Sequence, residues 1–548
     1  MATKLVGVLS SFTLLISFSC AFSTDDINQW CNQTPNPEPC KYFMTHGSHH
    51  FAPNHKTEFK KMAMQVAMER AVRAKTHHKE LISSKCQTER QKNAMADCLK
   101  LYESTVFHLN QTLTQEECLL KKTSHWNNQE ECYSDSDAQT WLSAALTNLD
   151  TCRAGLVELG VSDSLLPLMS NNVSKLISNS LALHHNNGSS RKQVHRKMTQ
   201  HYGTEVVYSK GFPTWVSAGD RRKLLQTSRT TTRADLVVAQ DGSGDYRTVT
   251  SALDAAAKRS GIGRFVIHVK RGVYRENIEI GISMKNIMLV GDGMKYTIIT
   301  GSRSVGGGYT SYNSATVAVA GAAFIAHGIT FRNTAGPQNA QAVAVRSDSD
   351  RSVFYRCGFE GYQDTLFVHT QRQFYKECYI YGTVDFIFGN AAVVFQNCMI
   401  IARKPITGQQ NVITAQGRND PYQNTGISIQ GCRVMAAPEL RPVVGSVKTY
   451  LGRPWKKYSR TVYLRTYIGS LVDPKGWLEW EGTNFAVDSV YYGEYRNFGP
   501  GSSTGGRVRW GGYYKITSAI EAARFSVASF IAGGAWLPAT SVPYTTGI

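Results

Sequence analysis

The chain divides into two parts by the spacing of its apolar residues. From residue 25 to about residue 200, apolar positions recur with the 3.6-residue period of amphipathic helices. From Asp235 onward they form many short runs separated by turn residues, without long helical stretches between them. The first pattern predicts an all-α domain and the second predicts an all-β domain.

Four long segments of the first part carry the helical period, and they cover residues 54–83, 88–121, 135–160 and 165–184. The polar residues Ser134 to Asp137, ahead of Trp141, form a favourable helix start. Helices of this length with short connections favour an antiparallel four-helix bundle.

The cysteines of the helical part can be paired only in part. Cys31 and Cys40 flank a proline-rich loop that a short disulfide could close, and Cys98 with Cys152 could join two helices. The pairing of three others stays open, although the sequence allows Cys118 with Cys132; the three are Cys86, Cys118 and Cys132.

A repeat of about 20 residues runs through the second part. Cys357, Cys378 and Cys398 fall at steps of 21 and 20 residues, the length of one coil of a parallel β-solenoid. We therefore expect a right-handed parallel β-helix. A short helix over 248–258 would cover its open end, residues 491–510 would form loops, and residues 520–530 would form a closing helix.

Two aspartates lie at equal positions in adjacent units of this repeat. Asp364 lies seven residues after Cys357, and Asp385 lies seven residues after Cys378. Residues at equal positions of neighbouring coils stack about 4.8 Å apart, so the two carboxylates should share one sheet face. One carboxylate of such a pair tends to stay ionised while the other holds a proton, which suits a nucleophile and a general acid/base.

Two glutamines limit the reactions that the pair of aspartates is expected to catalyse. Gln363 adjoins Asp364, and Gln341 lies 22 residues before Gln363, again about one coil. Paired carboxylates can hydrolyse glycosides or transfer an acyl group. Only acyl transfer develops an oxyanion that amide N–H groups can stabilise, so the glutamines favour an ester or amide substrate.

The motif Leu451-Gly452-Arg453-Pro454-Trp455 supplies two further candidates. Arg453 could donate two parallel hydrogen bonds to one aspartate and keep it ionised. Trp455 offers a flat apolar face on which a sugar ring can pack.

The N-terminus predicts secretion. Lys4, an apolar run from Leu5 to Phe18 and the small residues Cys20, Ala21 and Ser23 predict a signal peptide over 1–23, with an uncleaved membrane anchor as the alternative. Sequons for N-glycosylation occur only in the first half, at Asn32, Asn110, Asn172 and Asn187. The formal net charge of +19 suggests a polyanionic partner, with a solvated basic surface as the alternative.

The predicted organisation is a signal peptide over 1–23, a helical bundle over 24–185, a linker over 186–233 and a β-helix domain over 234–548. The linker is rich in Asn, Gly, Ser, Lys and Arg. Its basic cluster is a candidate processing site, with an uncut charged linker as the alternative; it comprises Arg221, Arg222, Lys223, Leu224 and Leu225.

Both parts resemble known plant families. The second half is similar to the plant pectin methylesterases through the motifs Gly272–Glu276, Gln341–Ala344, Tyr362–Leu366, Gly382–Gly389 and Leu451–Trp455. The first part resembles the pectin methylesterase inhibitor domain that precedes many plant members, through Cys31 with Cys40, Cys98, the motif Gln139–Asn148 and Cys152.

The resemblance implies a role for each candidate catalytic residue. Asp385 would be the nucleophile and Asp364 the proton donor and later the base. Gln363 and Gln341 would stabilise the tetrahedral intermediate, with Gln341 also contacting substrate.

The resemblance also implies substrate contacts and one disulfide. Arg453 and Trp455 would contact substrate, and Ser311, beside Thr310, stands where relatives bind substrate with a threonine. The family disulfide would fall on Cys378 and Cys398, although the coil spacing equally allows Cys357 with Cys378.

The implied activity is hydrolysis of galacturonate methyl esters in cell-wall pectin, which releases methanol and needs neither metal nor cofactor. The secreted monomer would bind pectin, inhibitor proteins and a processing protease, but no nucleic acid and, after loss of the signal, no membrane. The helical domain would inhibit the enzyme or assist its export until cleavage. The alternatives are a β-helix depolymerase, either a polygalacturonase or a pectate lyase, and a non-catalytic pectin-binding or inhibitor protein.

Overall fold

The computed structural model describes residues 24–46, 53, 55–124, 135–161, 172–189, 208–209, 212–213, 234–261 and 263–548. The expected signal peptide and the basic cluster 221–225 lie outside the described residues. Within the described part, no helix has the length and apolar character needed to cross a bilayer.

The N-terminal domain is helical, and its described helices are α1 (Thr24–Asn32), α2 (Pro37–Thr45), α3 (Lys56–Lys85), α4 (Glu89–Ser124), α5 (Asp135–Glu158) and α6 (Asn172–Ser189). Helices α3, α4 and α5 follow the predicted segments closely, and α6 covers the later part of the fourth segment, whose residues 165–171 lie outside the described residues. Helix α3 packs against α4 and α6, and α5 packs against the same two helices. This arrangement is a four-helix bundle with a shared apolar core.

Two disulfides brace the bundle. Cys31 is bonded to Cys40, which ties α1 to α2. Cys98 is bonded to Cys152, which ties α4 to α5. Both bonds join the cysteines that the sequence suggested, and Cys86 is a free thiol.

The second part consists of short strands. The strands are β1 (Tyr208–Ser209), β2 (Phe212–Pro213), β3 (Leu236–Val238), β4 (Phe265–Val269), β5 (Gly272–Arg275), β6 (Ile278–Ile280), β7 (Ile287–Gly291), β8 (Thr297–Gly301), β9 (Val317–Val319), β10 (Ile325–His327), β11 (Thr330–Asn333), β12 (Val345–Ser347), β13 (Ser352–Tyr355), β14 (Gly358–Glu360), β15 (Leu366–Val368), β16 (Arg372–Lys376), β17 (Tyr379–Gly382), β18 (Ile387–Gly389), β19 (Ala392–Gln396), β20 (Met399–Ala402), β21 (Asn411–Gln416), β22 (Gly426–Gln430), β23 (Arg433–Ala436), β24 (Thr449–Pro454), β25 (Arg460–Leu464), β26 (Tyr467–Ile468), β27 (Tyr491–Tyr495) and β28 (Tyr513–Lys515).

Apart from the antiparallel pair β1 and β2, these strands form three parallel sheets. Sheet 1 has the order β28-β27-β25-β22-β19-β16-β13-β10-β7-β4-β3. Sheet 2 has the order β26-β23-β20-β17-β14-β11-β8-β5, and sheet 3 has the order β24-β21-β18-β15-β12-β9-β6. Most coils contribute one strand to each sheet in turn, which confirms the parallel β-helix.

Stacked aromatic rings fill part of the β-helix interior. Phe354 and Tyr375 stack with ring centroids 4.8 Å apart, and Tyr375 stacks on Phe395 at 4.7 Å. The three residues occupy equal positions in neighbouring strands of sheet 1. The parallel register therefore repeats the same interior contact from coil to coil.

The turn from sheet 1 to sheet 2 has a repeating backbone conformation. Arg356, Glu377 and Asn397 all have positive φ, and each is followed by a buried cysteine. The cysteine ladder extends one coil beyond the sequence prediction; it comprises Cys357, Cys378, Cys398 and Cys432.

The disulfide expected between Cys378 and Cys398 is absent, because both residues are free thiols. The Sγ atom of Cys378 lies 3.2 Å from the carbonyl oxygen of Phe354, and that of Cys398 lies 3.5 Å from the carbonyl oxygen of Tyr375. Each thiol thus contacts a carbonyl oxygen of the preceding coil, and the two thiols contact each other without a covalent bond.

Helices cover one end and one side of the β-helix. Helix α7 (Val249–Ala257) forms as expected, and the hydroxyl of Thr248 caps it by accepting a hydrogen bond from the N–H of Ser251. The single closing helix expected over 520–530 is instead two short helices, α8 (Ala519–Ala523) and α9 (Val527–Phe530), because Ser526 caps a new helix start. Residues 491–510, expected as loops, include strand β27.

The helical bundle packs on the outer face of sheet 3. Ala318 of β9, Phe367 of β15, Phe388 of β18 and Ala415 of β21 point outward and join the apolar core of the bundle. Their strand neighbours point inward and belong to the β-helix core. Because successive side chains of a strand point to opposite faces, sheet 3 contributes residues to both the core of the bundle and the core of the β-helix.

Replacing Tyr375 with Ala should destabilise the protein by about 3–5 kcal/mol, because the change empties the centre of the aromatic stack. Urea denaturation followed by tryptophan fluorescence measures this loss. The matched control is Tyr379→Ala, since Tyr379 is 40% exposed and its removal should cost less than about 0.5 kcal/mol. Equal losses for the two variants would contradict this placement of Tyr375.

Candidate active site

The two aspartates lie at equal positions in adjacent coils, each two residues before a strand of sheet 3. Leu366 of β15 pairs with Ile387 of β18, and the N–H of Asp364 donates to the carbonyl of Val384 at 3.0 Å. This register places Asp364 beside Asp385, as the seven-residue offset from the cysteines predicted.

Both aspartates have left-handed backbone conformations. The φ angle is 61° at Asp364 and 51° at Asp385. Aspartate tolerates this region better than most residues, but the conformation is uncommon outside glycine and is frequent at functional sites. The parallel pairing on either side holds the backbone there and directs both carboxylates to the outer face.

Arg453 holds Asp385 through two guanidinium nitrogens. Its Nε lies 2.9 Å from Oδ1 of Asp385, and its Nη2 lies 2.6 Å from Oδ2. This fork is the arrangement in which arginine binds carboxylate most strongly and with a fixed orientation. It places a positive charge against the Asp385 carboxylate and limits its rotation.

Asp364 has the opposite electrostatic environment. Burial raises the pKa of its carboxyl well above the ordinary value, and the negative charges of Asp385 and Glu158 raise it further. Within the described structure, no hydrogen bond or ion pair to its carboxylate offsets this. Asp364 is therefore suited to hold a proton while Asp385 remains charged.

Gln341 and Gln363 are neighbours in the same stack. The N–H of Ala342 donates to the carbonyl of Gln363 at 3.2 Å, which aligns the two coils at this level. Both glutamines are half-buried and line the cavity that holds the two aspartates. Their amide groups can therefore donate to an oxygen atom held above the carboxylates.

Trp455 forms one wall of this cavity. Its ring centroid is 5.9 Å from that of Phe388, which itself stacks on Phe367 at 4.2 Å. Gly417 permits the close packing, because a Cβ atom there would lie 2.7 Å from the Trp455 ring. The wall is flat, apolar and suited to a sugar face.

The cavity has a volume of about 560 Å³. It brings together six of the predicted site residues, namely Gln341, Gln363, Asp364, Asp385, Arg453 and Trp455. Thr310 and Ser311 are not among the residues that line it. They contact the helical bundle instead, where the hydroxyl of Thr310 donates to Asp97 and the N–H of Ser311 donates to Glu158.

The sequence did not identify several cavity residues. Trp480 places its ring 4.5 Å from the guanidinium of Arg453, and Glu481 and Lys456 also line the cavity. Trp480 follows Trp455 by 25 residues, about one further coil, and that spacing could have signalled it. Helix α5 contributes charged residues that no sequence pattern assigned to this site; they are Asp150, Arg153 and Glu158.

An arginine-held carboxylate, a second carboxylate suited to hold a proton and two amide groups on a parallel β-helix define a carboxylate-based hydrolase. A sequence profile of the pectinesterase family matches residues 235–534, and one of the plant invertase/pectin methylesterase inhibitor family matches residues 25–183. The chain belongs to the pectinesterase family and is a carboxylic ester hydrolase with an inhibitor-family domain joined to it.

Similar proteins cover the whole chain or its second half. Pectinesterase 2 of Citrus sinensis is 54% identical over 100% of both chains. The probable pectinesterase/pectinesterase inhibitor 17 of Arabidopsis thaliana is 55% identical over 98% of this chain and 97% of its own. The solved structure of a carrot pectin methylesterase, 56% identical with a TM-score of 0.57, matches 58% of this chain and 99% of its own.

Replacing Asp385 with Asn should lower the pKa of Asp364, because it removes a negative charge that opposes ionisation. The pKa should remain above the ordinary value, since burial is its largest cause. Carboxyl-selective NMR titration of the full chain measures the pKa of Asp364 in the parent and in the variant. An Asp488→Asn variant, which changes an exposed aspartate that does not line the cavity, is the control; an unchanged Asp364 would contradict the coupling.

Proposed function

We propose that the chain hydrolyses galacturonate methyl esters in pectin through a covalent aspartyl intermediate. The observation that carries this proposal is the contrast between the two carboxylates, one held by Arg453 and the other suited to hold a proton. Trp455 provides the surface for the sugar ring.

In the first step, an oxygen of Asp385 attacks the ester carbonyl carbon. The carbonyl π electrons move to its oxygen, and the amide N–H groups of Gln341 and Gln363 stabilise that oxyanion. The carbonyl re-forms as the bond to the methoxy group breaks, and Asp364 gives its proton to the departing methanol. The product of this step is an acyl anhydride between substrate and Asp385.

In the second step, water cleaves the anhydride. Asp364, now ionised, removes a proton from the water as its oxygen attacks the acyl carbon. Collapse of the intermediate releases Asp385 as a carboxylate held by Arg453. The product leaves as galacturonic acid, which loses its remaining proton to solvent and becomes the galacturonate anion, and Asp364 again carries a proton.

The two glutamines separate this reaction from glycoside cleavage. A polygalacturonase passes through an oxocarbenium-like transition state and stabilises no oxyanion, so it has no use for amide donors beside the carboxylates. A non-catalytic binding protein has no use for a carboxylate pair of unequal pKa. The family comparisons also favour ester hydrolysis over these alternatives.

Replacing Asp385 with Asn should abolish methanol release, because the amide cannot form the acyl intermediate. Methanol release from pectin by residues 234–548 measures the effect, and a loss of at least about 10³-fold is expected. Near-UV circular dichroism checks that the variant is folded. Activity within tenfold of the parent in a folded variant would reject the assignment.

We also propose that the helical bundle masks the cleft until it is removed. Glu158 of α5 accepts a hydrogen bond from the N–H of Ser311 at 2.8 Å and lines the same cavity as the catalytic pair. Asp150 of the same helix lies beside Asn419 and near the charge of Lys456. Helix α5 thus occupies space that a polymer must enter.

Buried polar contacts strengthen this interface. Asp137 of α5 forms an ion pair with Arg372 at 2.6 Å. Thr151 of α5 lies 2.7 Å from Nε2 of His369, and Ser178 of α6 donates to Asp420 at 2.6 Å. Their partners belong to more than one coil and lie beyond the ends of the sheet 3 strands, so the bundle is held along the β-helix rather than at one point.

The uncleaved chain should be less active than residues 234–548, and the difference should shrink as the pH rises. Burial raises the pKa of Asp97 from 3.8 to about 6 while its carboxylate contacts Thr310. Packing of the bundle on the β-helix is therefore coupled to the uptake of a proton by Asp97. The contribution of Asp97 to docking is complete below pH 3.8 and is lost as the pH rises through about 6.

The measurement is, at each pH, the methanol release of the uncleaved chain divided by that of residues 234–548. This ratio should rise with pH, and it should rise less in an Asp97→Asn variant of the uncleaved chain, because the residue no longer titrates. The control Glu103→Gln changes an exposed carboxylate of the same helix. Equal activity of cleaved and uncleaved protein would reject masking and leave assistance to export as the role of the bundle.

We further propose secretion to the cell wall after removal of residues 1–23, and cleavage by a protease at Arg221–Leu225. Asn32 and Asn110 are exposed on the bundle, which supports their glycosylation. Asn172 is half-buried. Asn187 is in the last part of α6, outside the residues whose side chains are described.

A further inference from the structure

Glu481 is a carboxylate at the active-site cavity to which the proposed reaction gives no task. It lines that cavity together with Asp385, Arg453 and Trp455. Its side chain is exposed, and in the described part of the chain no hydrogen bond or ion pair restrains it. Its charge therefore remains available to whatever occupies the cleft.

The backbone at Glu481 is held in an unfavourable conformation. Its φ and ψ angles are 50° and 32°, in the left-handed region that glycine or asparagine adopts more readily. Gly482 follows with a φ of 68°. This backbone conformation sets the direction in which the Glu481 side chain leaves the chain.

Trp480 and the coil pairing fix where this carboxylate lies. Gly452 forms a β-bridge with Trp477, so residues 477–481 lie one coil beyond Arg453. The Trp480 ring covers the Arg453 guanidinium at 4.5 Å. Although burial alone would lower the pKa of Arg453, nearby carboxylates raise it, and Glu481 is among them.

Each galacturonate unit of the substrate in the proposed reaction is either neutral or negatively charged. A methyl-esterified galacturonate is neutral, whereas the product unit is an anion. A fixed carboxylate close to one unit repels the anion and is nearly indifferent to the ester. The cleft also contains a cation, because Lys456 lies 5.3 Å from the ring of Trp455.

We propose that Glu481 is a specificity-determining residue that disfavours a de-esterified galacturonate in the part of the cleft beyond Arg453. This inference rests on the proposed function. The enzyme thereby prefers chains whose unit at that position still carries its methyl group. Lys456 has the opposite charge, so the cleft does not repel anions uniformly.

The test compares residues 234–548 with the Glu481→Gln variant on two pectins. One is highly methylated, and the other is the same pectin with part of its esters removed by alkali at random. The ratio of kcat/KM on the second to kcat/KM on the first should rise about threefold in Glu481→Gln at low salt. The rise should disappear at about 0.5 M NaCl, where exposed charges are screened.

Two further variants distinguish charge from shape. Glu481→Asp keeps the charge and should keep the parent ratio, whereas Glu481→Asn suits the left-handed backbone and should match Glu481→Gln. Glu479→Gln is the control, because Glu479 does not line the cavity. An unchanged ratio in Glu481→Gln, or a change that persists at high salt, would overturn the inference.

The Asp385→Asn assay separates this result from failure of the proposed function. If Asp385→Asn still releases methanol, the reaction proposed for the site is wrong whatever Glu481 does. If Asp385→Asn is inactive and the ratio is unchanged in Glu481→Gln, only the role of Glu481 is rejected. Equal changes on both pectins would show that Glu481 acts through Arg453 instead.

Discussion

The parallel register of sheet 3 is the constraint on which the site depends. Equal positions in adjacent coils must lie side by side, and this forces Asp364 next to Asp385 despite the electrostatic cost. Arg453, two coils further on, forms hydrogen bonds with only one of the two, Asp385. The different surroundings of the two carboxylates therefore arise from which coil supplies the arginine, and both residues have a positive φ angle.

Much of the fold could be predicted because its signals are periodic. The helical spacing identified the long helices of the bundle, and the steps between Cys357, Cys378 and Cys398 identified the coil length. The same steps placed both aspartates. Strand β27 was missed because Tyr491 to Tyr495 lie among glycines and aromatic residues that also suit loops.

The errors and omissions at the site have a common physical origin. The sequence shows which residues share a coil, but it does not show which way each side chain points. The pairing of Cys378 with Cys398 failed for this reason, since both thiols face carbonyl groups. Trp480 and Glu481 escaped notice because they lie beyond the last strand of sheet 3, where an isolated β-bridge replaces a regular strand. The position of α5 over the cleft depends on a surface match between two domains, which no repeat encodes.

The outward face of sheet 3 affects the solubility of the protein, and this effect depends on whether the bundle covers it. Phe367, Phe388 and Trp455 form an aromatic surface that a sugar polymer needs and that water solvates poorly. On a newly made β-helix such a surface is an aggregation hazard. The bundle buries it in a shared core, so the contact that covers the cavity also shields this surface from water and from other chains. The two roles proposed for the bundle, inhibition and assistance to export, would then be two results of one interface.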